Sequence, residues 1–404
     1  MKNMLAFMKE KYYVLFFLTI FSIFFTTFKL YIPLFGISIV YIVLLIREKE
    51  IEIKLSKWQK FLGAFMLWSI IGTLLTIVFY KNALNFSSII KLNLNCLFLI
   101  LVAMLFQQDY IKIEKKRFVK FIELIIILNF IQIVLIYIAG GLFTEFLQGE
   151  LSKSSDTAYV IGQYNNIIGG DNKNIWASKL AFIYIIYIYT LVAFEIKSKS
   201  QYVNIILGGL AILLILSRTA QLAIAIPIVF YFIYKINGFE DKYSKPLFLI
   251  FGIIIGIGGG IFFEKFFHIK FDMTDGGFTR LLIWKSSLTD IWSTHWITGN
   301  GIGYAGTFIS DVVGRTESNL HNVFLNIFLE MGLIGLVTYA GFMITFVKEY
   351  VNKNNIKIAI FLIIVPVAFI ISLQYLGFDN DIIMIMILFL IVTKLSGKGV
   401  EYVK

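Results

Sequence analysis

Side chains able to do polar chemistry are scarce in this chain, and most of the candidates gather between Arg280 and Gly335. That stretch holds two of the three histidines, His295 and His321, together with Arg280, Arg315, Glu317 and the glycines Gly299, Gly301, Gly303 and Gly306. His321 stands just ahead of a long apolar run, in S-N-L-H-N, where Ser318, Asn319 and Asn322 are types that cap a helix start and can orient the ring. A neutral imidazole so placed can take a proton at neutral pH, which is the task of a general base. The plainer alternative is an interfacial histidine that only caps, and that is the reading for His268 and His295.

The cations form the second group. Arg218 lies in S-R-T between two apolar runs, Arg280 opens an amphipathic segment, and Lys91 and Lys179 sit near the starts of two other apolar runs. Charge at membrane depth is costly unless it meets an anion or snorkels to the interface. Snorkelling accounts for Lys91 and Lys179. Arginine's planar fork suits two-point binding of phosphate, and a lipid-linked pyrophosphate would satisfy Arg218 and Arg280 together. Metal ligation finds little support: there is no Cys/His cluster and no Glu-x-x-His or His-x-x-x-His pair, and D-N-D at 379–381 reads as a solvated turn. The glycines lack the preceding strand and the Gly-Lys-Ser of a nucleotide loop, so they read as a compact turn under the amphipathic segment. No cofactor is expected.

Everything else must position these residues. Of 404 residues, 59% are hydrophobic and 15% charged, with mean hydropathy +0.83, which is more apolar surface than a globular core can hide. The chain reads as an all-α integral membrane protein. A single cysteine, Cys96, excludes an internal disulfide. Apolar runs place about twelve transmembrane helices at Tyr12–Leu30, Tyr31–Ile46, Phe61–Phe79, Ile89–Phe106, Phe118–Ile138, Ile175–Phe194, Val203–Leu216, Ala220–Tyr234, Leu247–Phe263, Val323–Val347, Ile358–Leu376 and Ile382–Val392. Val203–Tyr234 taken as one helix would be about 48 Å long against a hydrocarbon core of about 30 Å, so a break falls at Ser217–Arg218–Thr219.

Alternate loops carry 24 of the 36 lysines and arginines, which predicts cytoplasmic termini and puts Arg218 on the outer side. The same distribution explains the net charge of +11 without nucleic acid. Two outward connections are long: residues 139–174, and residues 264–322 between helices 9 and 10. The whole chain, 1–404, reads as one polytopic domain, with 264–322 carrying part of the site. Within that loop Leu281, Leu282, Trp284, Leu288, Ile291, Trp292 and Ile297 recur near helical spacing, so an amphipathic helix on the outer membrane face is expected.

Several motifs, in this order and on this side, resemble the O-antigen ligase and Wzy-type polysaccharide polymerase superfamily. They are G-G-D-N-K-N-I-W-A at 169–177, S-R-T-A at 217–220, Arg280 with Trp284, G-N-G-I-G-Y at 299–304, and H-N-V-F-L-N-I-F-L-E-M-G-L-I-G from His321 to Gly335. Trp284 stands where the ligases often have Leu.

The resemblance implies a C-type glycosyltransferase fold and a metal-independent, inverting enzyme at the outer face of the bacterial plasma membrane. Its donor and acceptor would be undecaprenyl-pyrophosphate-linked oligosaccharides, with the bilayer, a chain-length regulator and a flippase as further partners. Arg218 and Arg280 would clamp the pyrophosphate, and His321 would serve the acceptor hydroxyl. Asn322, Lys91, Lys179, Arg315 and Asn174 are the further substrate-binding candidates. A polymerase of O-antigen or capsule repeat units is the first reading and a ligase delivering the glycan to lipid A-core the second. A lipid-linked sugar transporter, the third, would predict internal repeats and charges spread through the bundle interior, whereas these cations gather toward one side.

Overall fold

The computed structural model describes residues 2–25, 31–80, 86–108, 110–111, 113–143, 160–164, 173–196, 199–237, 276–293, 295–314, 319–351, 359–373 and 380–395. Among them every regular element is helical. The helices are α1 (Lys2–Phe25), α2 (Tyr31–Arg47), α3 (Lys57–Tyr80), α4 (Phe86–Gln107), α5 (Lys115–Ala139), α6 (Lys173–Ala193), α7 (Lys199–Leu214), α8 (Arg218–Asn237), α9 (Gly276–Ser293), α10 (Tyr304–Val313), α11 (Val323–Tyr350), α12 (Val365–Leu373) and α13 (Asn380–Leu395). Five are long and apolar enough to cross a membrane, α3, α4, α5, α6 and α11, and shorter apolar helices accompany them. The protein is thus an all-α, multi-pass membrane protein. The expected span at Leu247–Phe263 lies outside the described residues.

Hydropathy places most helices well, because in lipid a helix is the simplest way for a chain to satisfy its own backbone. The expected break is present: α7 ends at Leu214, Leu216 takes a left-handed φ of 58°, and α8 starts at Arg218. The first helix begins at Lys2 and not at Tyr12, since a helix can run past the apolar stretch that drives its insertion. Asn380 and Asp381 open α13 and do not form a turn. A π-helical turn, Ile360–Ile364, leads into α12, where Pro366 has no N–H to give to a regular ladder.

Between helices in lipid there is no hydrophobic drive to associate, so close packing and hydrogen bonds hold the bundle. The central helix α6 is buried along nearly its whole length, and its tyrosines reach sideways: Tyr184 Oη donates to Ile205 O at 2.8 Å and Tyr187 Oη to Glu123 Oε1 at 2.9 Å. Each such bond contributes about 0.6 to 2 kcal/mol. The helix α11 runs along α3 through aromatic contacts, Trp58 on Phe346 with centroids 5.2 Å apart and Phe65 on Tyr339 at 5.6 Å.

Cross-links also define the two ends. Lys394 Nζ reaches Phe106 O at 3.0 Å, Gln107 meets Glu349 and Tyr350, Lys115 lies over the Phe194 ring, and Arg117 bonds the Tyr13 hydroxyl. One end therefore gathers the C-termini of α4, α6, α11 and α13 with the start of α5, and it is rich in lysine. The opposite end gathers the start of α6, the corner between α7 and α8, the start of α11 and the end of α12.

Candidate functional site at the lysine-poor end

Helices α9 and α10 and the start of α11 share a small core of their own, built from Ile283, Ile291, Ala305, Phe308, Ile309, Leu320 and Leu329. The helix expected in the loop is α9, but its buried face differs from the one the apolar spacing suggests. Thr279, Ile283, Ser287 and Ile291 turn inward, while Leu288, Trp292, Trp296 and Ile297 are exposed. An apolar outer face beside lipid is no liability, so hydrophobicity alone could not tell the two faces apart.

This unit is pinned to a broken α11. At Gly332 the backbone takes φ 64° and ψ −167°, which interrupts the helix and frees carbonyls and amides that in hydrocarbon would cost several kcal/mol each. The glycine turn satisfies them. Asn300 N donates to Leu329 O at 3.0 Å, Gly301 N to Glu330 O at 2.8 Å, and Leu333 N to Trp296 O at 2.8 Å. Trp68 of α3 supplies Nε1 to Met331 O at 2.8 Å. Gly299 and Gly332 lie so close that a Cβ on either would strike the other's backbone. The compact turn read from the sequence is thus present, and the partner it bonds is α11. Glu330, almost fully buried, accepts from Gly303 N at 2.9 Å and Ala305 N at 3.2 Å at the start of α10. On the far side of this unit Tyr304 Oη lies 3.5 Å from Asp290 Oδ2, and burial holds the Asp290 carboxyl above its usual range.

The predicted chemical residues meet at the end of α12. Arg280, in the second turn of α9, donates Nη1 to Leu373 O at 3.0 Å. Asn322 caps α11, its Oδ1 accepting from Leu325 N at 3.0 Å, and its Nδ2 donates to Ser372 O at 3.0 Å. Arg280 and Asn322 therefore bind consecutive carbonyls, and His321 is the residue directly before Asn322. One turn beyond Arg280, Trp284 Nε1 donates to Leu320 O at 2.7 Å. Asn319 Oδ1 accepts from His321 N at 3.1 Å. His321 itself has φ 54°, a left-handed conformation that costs on the order of 1–3 kcal/mol and persists only where the surroundings impose it. The helix cap belongs to Asn322, and His321 is half-buried.

A second group forms at the corner between α7 and α8. Arg218 begins α8 and is exposed. Lys173 Nζ donates to Leu216 O at 3.3 Å, close enough to Arg218 for the two charges to interact, and Asn174 follows it, half-buried. The C-termini of α4, α6 and α11 meet at the lysine-rich end, so both groups, at the starts of α6 and α11, lie at the opposite end of the bundle. Lys91, in the second turn of α4, lies at that end also. Lys179 is only 7% exposed, so it sits inside the bundle, where the sequence suggested a snorkelling side chain. Arg315, Glu317 and Ser318 lie outside the described residues. The sequence reading passed over Lys173, which in D-N-K-N looks like any loop lysine, and over Asn326 and Glu330. Among the described residues no group of three His, Cys, Asp or Glu is placed to hold a metal ion.

Residues 203–340 match the family model described as O-antigen ligase. The chain carries an O-antigen ligase family domain. The domain runs from α7 into α11 and takes in Arg218, Arg280, His321, Asn322, Glu330 and Gly332, while Lys91, Lys173, Asn174 and Lys179 precede it. The motif resemblance to the O-antigen ligase and Wzy-type superfamily thus has independent support, and with it an enzyme class of glycosyltransferase-like ligases and polymerases. No curated protein matched the chain.

Proposed function

We propose that this protein is a polysaccharide polymerase that moves a growing glycan from its undecaprenyl-pyrophosphate carrier to a sugar hydroxyl of a lipid-linked repeat unit. The observation that supports it best is the meeting of Arg280 and Asn322, the residue after His321, on Leu373 O and Ser372 O. In this reading the end with Arg218 faces away from the cytoplasm. The acceptor oxygen attacks the anomeric carbon while the bond from that carbon to the pyrophosphate oxygen breaks. The lipid pyrophosphate leaves with the electron pair, the two arginines stabilise its charge, and the acceptor's proton passes to the His321 ring. Attack opposite the leaving group inverts the anomeric centre. With arginines neutralising the leaving group, the reaction calls for no metal.

The description of the matching family favours a second reading, a ligase that passes the same donor's glycan to lipid A-core. Purified protein given only the lipid-linked repeat unit separates the two. A ladder of longer lipid-linked chains is expected. Transfer seen only when lipid A-core is added would establish the ligase, and no transfer in either case would overturn both.

A further inference from the structure

The corner between α7 and α8 is fixed from several sides. Gln221 Nε2 donates to Leu213 O at 3.1 Å, Tyr137 Oη of α5 to Leu214 O at 2.8 Å, and Lys173 Nζ of α6 to Leu216 O at 3.3 Å. The same α5 holds the start of α6, because Trp176 Nε1, one turn after Lys173, donates to Asn129 Oδ1 at 2.7 Å. These carbonyls near the end of α7 are thereby answered by side chains. What the corner has besides them is positive: the Arg218 guanidinium, the Lys173 ammonium and the first amides of α8. Among the described residues no carboxylate pairs with either cation. The bond to Leu216 O uses one of the ammonium's three N–H groups and keeps the others beside the corner. Ser217 stands in the capping position of α8, since its carbonyl accepts from Gln221 N at 3.0 Å. Its hydroxyl does not cap: Ser217 is 2% exposed and its Oγ has no hydrogen-bond partner. A buried, unbonded hydroxyl at a helix start, beside two cations, is costly for the protein alone and well suited to an anion.

We propose that Lys173 and Ser217 are donor-binding residues: with Arg218 and the start of α8 they hold the pyrophosphate of the lipid-linked glycan and favour it over a single phosphate. This rests on the reading above, in which the donor is a lipid pyrophosphate. A lone arginine would serve a lipid monophosphate as readily, whereas two cations and a hydroxyl at one corner match a group with two phosphates.

Binding of sugar-free undecaprenyl pyrophosphate to the full chain in detergent provides the test, since it needs no transfer. Lys173→Met keeps the apolar stem and removes the charge. It should weaken undecaprenyl pyrophosphate about tenfold and undecaprenyl phosphate about threefold or less, and raise KM for the complete donor while kcat stays within about threefold of wild type. Lys173→Arg restores the charge and should bind within about threefold of wild type. Ser217→Ala removes a hydroxyl that bonds nothing in the protein, so it should weaken binding about threefold with the melting temperature unmoved. Unaltered affinity in Lys173→Met would overturn the proposal. That result, with a lower melting temperature, is what a lysine that only ties α6 to Leu216 O predicts. Unaltered affinity in Ser217→Ala, which leaves every bond of the folded protein in place, would overturn it too. An equal loss of phosphatidylglycerol binding would overturn the choice of ligand, making the corner a site for any anionic lipid headgroup. Failure of the underlying reading looks different: the variants then lose undecaprenyl pyrophosphate as expected, yet wild type transfers no glycan to a repeat unit or to lipid A-core.

Discussion

The two cationic groups at the lysine-poor end are built in opposite ways. Arg280 is half-buried and already bonded to the C-terminal carbonyl of α12, within a lattice of side chains that also fixes Trp284, Leu320 and Asn322. Arg218 begins a helix, is exposed, and has a second cation, Lys173, beside it. A cation at a helix C-terminus lowers the energy of the empty protein, whereas two neighbouring cations at helix starts raise it until an anion arrives. One group is set by the fold, and the other, in the proposed reading, is completed by an anionic donor.

That contrast can be broken most sharply at His321, which belongs to the first group. His321→Ala is expected to lower transfer by about 10²–10⁴-fold while leaving donor binding nearly unchanged. Asparagine tolerates the left-handed conformation, so His321→Asn preserves the backbone and removes only the base. It should be as inactive as the alanine variant. An active asparagine variant would mean that the loop's shape, and not the ring, is what the reaction uses.

The arginines come next. A lysine at 280 cannot serve both Leu373 O and a phosphate at the spacing of a guanidinium fork, so Arg280→Lys should lose about 10²-fold in transfer and also melt at a lower temperature. Arg218→Lys should lose about tenfold through weaker donor binding, with the melting temperature unmoved. Equal losses with neither variant destabilised would erase the distinction between the groups. The smallest effect is expected at Trp68, which bonds Met331 O beside the break in α11. Trp68→Phe leaves Met331 O without its donor and should cost about 1–3 kcal/mol of stability, read as a lower melting temperature in detergent with transfer by the folded protein intact.

Much of this was legible in the sequence, and what was not had a physical reason. The break at Ser217–Arg218–Thr219 followed from length, because a helix that long cannot fit the bilayer. Arg280 and His321 were visible as rare polar residues in an apolar chain, and the glycine turn by its spacing. The break in α11 was invisible: Gly332 sits in a run that hydropathy reads as one span, and the amides that make the break tolerable come from residues 299–301. Asn326 and Glu330 were visible within a motif but not as a stripe, since a four-residue period of polar groups means little until the helix face has something polar to meet. Lys173 became notable only when folding brought it to Arg218. Lys179 was misjudged because depth along a helix does not reveal whether the side chain faces lipid or protein.

The clamp between Trp296–Gly301 and the broken α11 has a consequence for assembly. Residues 296–301 are synthesised before Val323–Tyr350, so when they emerge the carbonyls of Leu329 and Glu330 that receive their amides do not yet exist. The turn must wait for a later helix to be inserted before it can close, and α10, held through Glu330, waits with it. The anchors on Ser372 and Leu373 arrive later still. The site around His321 is therefore finished only once Ser372 and Leu373 have been made, and a chain that stops short of them can occupy the membrane without being able to act.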